Sequence, residues 1–135
     1  MKPILLPGFE ATVDRVEHDP ELPTPPGQPF PFVYHITIRN GSDRTLTVKG
    51  RKWVVRAEDG QVTAVEGDGV VGCFPRLEPG ESFTYNSYHT TAGRAVAEGA
   101  YLAVTEEGEA VFAPIPAFDL IPPAPSPRRP GPAAR

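Results

Sequence analysis

A chain of 135 residues is long enough for one domain with one core, and it can bury roughly two-thirds of its unfolded surface. Its 18 prolines and 13 glycines exclude a helical protein, because proline removes a backbone donor and clashes inside a helix. The net charge of -4 argues against a nucleic-acid binder, which needs a basic face to displace counterions from phosphate.

At the N-terminus the only apolar stretch is residues 4–6, held between Pro3 and Pro7. It is too short for a signal-peptide core, and no run approaches the ~18 residues of a membrane span. The single cysteine, Cys73, excludes an intramolecular disulfide framework and fits a reducing compartment. A soluble, cytoplasmic protein without membrane contact is expected.

Residues 9–16 alternate through Phe9, Ala11 and Val13, which predicts a first strand. The proline-rich stretch 18–31 reads as a long extended loop. Residues 32–40 carry the clearest alternation: Phe32, Tyr34, Ile36 and Ile38 on one face, Val33, His35, Thr37 and Arg39 on the other. A turn is expected at 40–43, then a strand over 46–57 with Trp53 and Val55 inward and a bend at Gly50. Asp59-Gly60 is a hairpin signal, and 62–66 makes the returning strand. Residues 67–77 read as loop and Glu78-Pro79-Gly80 as a turn. The next strands are 83–88, with Phe83 and Tyr85 inward, then 101–105, paired across 106–108 with 110–120. The last 14 residues, 122–135, form a Pro/Arg-rich tail carrying Arg128, Arg129 and Arg135, and are expected to be a disordered, solubilising end outside a 1–121 domain. About seven strands and no helical period predict an all-β antiparallel sandwich.

Six segments in this order carry a resemblance: FVYHITIRN (32–40), GRKWVV (50–55), EGDGVVG (66–72), LEPGESFTY (77–85), EGAYLAV (98–104) and FAPIPAFDLIPP (112–123). Together they resemble an ApaG domain. The resemblance implies an immunoglobulin-like or fibronectin type III-like sandwich and a protein-interaction module with an unknown protein partner. It also implies two links without a mechanism, one to cobalt and magnesium handling and one, by gene neighbourhood, to diadenosine tetraphosphate hydrolysis. Independently of the resemblance, the edge strands of a sandwich lead one to expect self-association through a sheet into a homodimer.

The most chemically suggestive string is Gly67-Asp68-Gly69-Val70-Val71-Gly72. As a dinucleotide fingerprint it would need a helix after it, so that pyrophosphate meets the helix N-terminus. Cys73-Phe74-Pro75 follows instead, so no helix opens. Two readings stay open. Gly67, Gly69 and Gly72 serve a sharp loop between strands, or they leave a backbone nest for a small anion or nucleotide, with Arg51, Lys52 and Arg76 nearby.

His18, His35, His89 and Cys73 lie on four segments without the short spacings of zinc ligands. Glu106, Glu107 and Glu109 bracket a hairpin and read as a solvated turn. Ser87 and His89 share a strand face, but no nucleophile elbow accompanies them. Val70, Val71 and Phe74 predict an apolar surround for Cys73. The expectation is a binding domain with neither catalysis, cofactor, metal nor nucleic acid.

Overall fold

A computed structural model of the chain describes residues 2–124. Nine strands follow one another: β1 (Ile4–Leu5), β2 (Phe9–His18), β3 (Phe30–Asn40), β4 (Leu46–Ala57), β5 (Val62–Asp68), β6 (Arg76–Leu77), β7 (Ser82–Thr91), β8 (Ala95–Thr105) and β9 (Ala110–Leu120). Most of the expected Pro/Arg tail lies outside the described residues. No helix among the described residues is long and apolar enough to cross a membrane.

The strands form two sheets. One is six-stranded in the order β1-β9-β8-β4-β5, with β6 pairing the start of β4; the other is three-stranded, β2-β3-β7. Pairing is antiparallel throughout except for β1, which runs parallel to β9. The expected all-β antiparallel sandwich is the observed architecture, and seven of its strands hold seven residues or more.

Three corrections concern the elements. β1 was not expected, and the expected loop 67–77 ends in the short strand β6, which pairs with Leu46 and Thr47 of β4. β8 begins at Ala95, six residues before the predicted start. Its first half carries Ala95 and Ala97, which have weak strand propensity yet are buried opposite Ala57 and Val55 of β4.

The alternation in β3 is the backbone of the core. Phe32, Tyr34, Ile36 and Ile38 are all buried and pair with His89, Ser87, Tyr85 and Phe83 on the same inner face of β7. Across the sandwich they meet Val48, Trp53, Tyr101, Val111 and Ile115.

β4 needs one irregularity to contribute. Its register against β8 shifts between Val48 and Gly50. A strand turns successive side chains to opposite faces, so Val48 and Trp53 could not both point inward without an extra residue. The bulge reverses the parity, leaving Leu46 and Val48 inward before it and Arg51, Trp53 and Val55 inward after it.

The connections follow their turn chemistry. Ala57 N–H donates to Gln61 O at 2.8 Å, with Gly60 at φ 91 closing a three-residue hairpin. Glu81 N–H donates to Glu78 O at 2.9 Å around Pro79 and Gly80. The proline-rich loop lies along β7, where the Tyr88 hydroxyl donates to Pro23 O at 3.1 Å and Thr90 Oγ1 to Gln28 Oε1 at 2.8 Å. On one side the sandwich is closed, because β2 packs against β9. The opposite side, bounded by β5 and β7, is open.

Candidate functional site

The glycine string begins at the end of β5. Gly67 stands opposite Arg51 in the β4–β5 ladder, on the inner face. Arg51 Nη1 donates to Asp68 O at 2.9 Å and to Gly69 O at 3.1 Å. A Cβ on Gly67 would lie 2.7 to 2.8 Å from the guanidinium. Gly67 is bare because the arginine passes over it.

Beyond it, Val70 and Cys73 exchange backbone hydrogen bonds of 2.8 and 2.9 Å. Val71 and Gly72 between them sit at φ 43 and 80, which is a two-residue hairpin of type I′. Gly69 has φ +64, and a Cβ there would lie 2.4 Å from Cys73 O. Val70 is fully buried and anchors the turn to the core.

These bonds decide what the loop presents. The amides of Gly69, Val70 and Cys73 donate to Lys49 O, Cys73 O and Val70 O. Arg51 therefore meets carbonyl oxygens. Of the other two cations expected near the loop, Lys52 lines a hollow together with Arg51 and Gly67, whereas Arg76 is not among its lining residues. Lys52 faces outward, with Nζ 3.7 Å from Glu66. Arg76 sits on β6, 3.9 Å from Glu78 and 3.4 Å from Glu106. The hollow on the outer sheet face beside the loop, about 880 Å³, brings Lys49 and Lys52 together with Glu66 and Asp68. Cys73 is exposed, which corrects its expected apolar surround: Val70 turns into the core, whereas Val71 and Phe74 turn to solvent.

The histidines stay apart. His18 lies against Phe30 and Phe32. His35 is on the outer face, 3.3 Å from Glu17. Among the described residues no group of three His, Cys, Asp or Glu side chains is placed to hold a metal ion.

His89 is the feature that sequence reasoning undervalued. Expected only to share a strand face with Ser87, it points inward from β7, with its ring centroid 4.7 Å from those of both Tyr34 and Trp53. Its position two residues after Ser87 and four after Tyr85 was the available signal. Burial lowers its pKa to about 4, so the ring is neutral at pH 7. His89 Nε2 and Trp53 Nε1 are both buried without a protein hydrogen-bond partner. Deeper in, the Tyr85 and Tyr101 hydroxyls bond to one another, and burial raises the pKa of both.

His89 also lines a groove of about 450 Å³ on the open side, between the edges of β5 and β7. Val55 and Val65 form one wall, Tyr88 and His89 the other, with Pro23 and Pro25 at its rim. Val65 is in register with Trp53, yet it is 46% exposed while Trp53 is 2% exposed. The contrast follows from the unequal sheets, since three strands do not cover the inner face as far as β5.

Comparison with known proteins places this architecture. The family model described as ApaG domain matches residues 20–105. Protein ApaG of Vibrio cholerae serotype O1 is 41% identical over 103 residues, covering 74% of this chain and 80% of the relative. Protein ApaG of Ralstonia nicotianae is 40% identical over 114 residues, with coverage of 83% and 92%. Among solved structures, the putative ApaA protein of Bordetella pertussis superposes with a TM-score of 0.74 at 31% identity, covering 90% of this chain and 98% of that one. An X-ray structure of a structural-genomics target gives a TM-score of 0.76 at 29% identity, with coverage of 86% and 88%. The chain belongs to the ApaG domain family.

Proposed function

We propose that this domain is a non-enzymatic binding module that acts by protein–protein contact on its open side. The observation that carries the reading is the state of β5. It is the last strand of the six-stranded sheet, and its Val62 and Val65 are 55% and 46% exposed. A free edge with apolar side chains offers main-chain hydrogen bonds for affinity and side-chain pockets for selection, which is how a sheet takes up an added strand.

The anion reading of Gly67, Gly69 and Gly72 has less support. It asks for converging cations, whereas Arg51 is engaged with carbonyls and Lys52 sits beside Glu66. Parallel affinity capture with the native chain and with Val65→Lys tests the proposal. A protein retained by the native chain and lost from the variant is the expected result. Equal retention by both, or a thermal shift with pyrophosphate and no captured protein, would contradict it.

A further inference from the structure

We infer that the free edge of β5 pairs with β5 of a second copy, antiparallel, about a twofold axis at Ala64. This rests on the protein-contact reading above and names the partner.

The ladder determines which groups are free. Ala57 N–H donates to Gln61 O, and Val55 stands opposite Thr63, Trp53 opposite Val65 and Arg51 opposite Gly67. Hydrogen-bonded and non-bonded pairs alternate along an antiparallel ladder. Thr63, Val65 and Gly67 therefore direct their backbone groups to β4, and Val62, Ala64 and Glu66 direct theirs away from it. The free edge ends there, because Asp68 O already accepts from Arg51.

A twofold contact must be complementary to itself. With the axis at Ala64, Val62 stands opposite the partner's Glu66, Ala64 opposite its own copy, and Thr63 opposite the partner's Val65. All three free positions pair, and no like charges face each other. Moving the axis to Glu66 sets two carboxylates opposite each other. Moving it halfway there brings Asp68, with its occupied carbonyl, into the ladder. Moving it toward the hairpin loses a pair. The Ala64 register also covers Val62 and Val65, the two large exposed apolar side chains of the strand.

Ala64→Cys in a Cys73→Ser background tests the axis. The Cα atoms of a hydrogen-bonded antiparallel pair lie about 5.5 Å apart, within the range a disulfide spans. Mild oxidation is expected to give a disulfide-linked dimer faster than it does for Cys73 in the native chain. Sedimentation equilibrium should show a dimer whose dissociation constant rises at least about tenfold in Ala64→Pro, which removes the outward amide and leaves the β4 ladder intact. A monomer up to millimolar concentration, a dimer undisturbed by Ala64→Pro, or cross-linking no faster than at Cys73 would each overturn the inference. If the native chain is monomeric but Val65→Lys still releases a captured protein, the homodimer falls and the protein-contact reading stands.

Discussion

The two long sides of this sandwich are built differently from the same kind of residue. On the closed side β2 lies against β9, and the apolar residues between the sheets, Ala11, Ile38, Val111 and Ala113 among them, are buried. On the open side Val55 and Val65 face inward as regularly as any of these, but the three-stranded sheet stops short of β5. The hydrophobic effect stabilises in proportion to the area taken from water. The closed side therefore holds the stability, and the open side keeps apolar surface available to something outside the domain.

The sharpest way to break this comparison is to empty the core beside the groove. Trp53→Ala is expected to cost about 3–5 kcal/mol, read as a shift in the denaturant midpoint at constant slope. A loss under about 1 kcal/mol would mean that the core does not extend to the groove wall.

His89 probes the same wall by pH. Its folded pKa, about 4, is below the ordinary ~6.5 of an unfolded histidine. The unfolded chain therefore binds the proton first as pH falls. The stabilisation is fully present above pH ~6.5 and is lost on the way down to about 4, a total of about 3 kcal/mol. His89→Gln should flatten stability between these limits relative to the native chain; parallel pH profiles would show that the ring is not held neutral.

The glycine loop gives the next effects. Gly69→Ala should destabilise by more than about 1 kcal/mol, since it combines a left-handed φ with a backbone clash. Gly67→Ala should matter only while Arg51 lies over it. A double-mutant cycle with Arg51→Ala is expected to return a coupling of about 0.5–1.5 kcal/mol; simple additivity would mean that the guanidinium does not occupy that space.

The smallest effect is expected on the open side itself. Val65→Lys should leave the unfolding free energy within about 0.5 kcal/mol of native, while binding through the edge is lost.

What could be read from the sequence follows from whether a signal is local. The inward set Phe32, Tyr34, Ile36 and Ile38 is written in plain alternation, and Asp59-Gly60 and Pro79-Gly80 carry their own turn chemistry. The two-residue β1 has no periodicity to read, and the alanines of β8 have little strand propensity of their own. The pairing of Gly67 with Arg51 joins residues 16 positions apart across a hairpin, so a string resembling a phosphate fingerprint gave no hint of the arginine lying over it. The openness of the β5 side depends on how many strands each sheet receives, which no single segment encodes.

Amide-resolved hydrogen exchange on β5 tests the central claim most directly. In dilute solution the amides of Thr63 and Val65 should be protected by β4, while those of Val62, Ala64 and Glu66 exchange rapidly. Raising the concentration, or adding a captured partner, should protect the second set alone. Protection of Val62, Ala64 and Glu66 in the dilute protein, or no change on association, would contradict the account of β5 as the edge through which this domain binds.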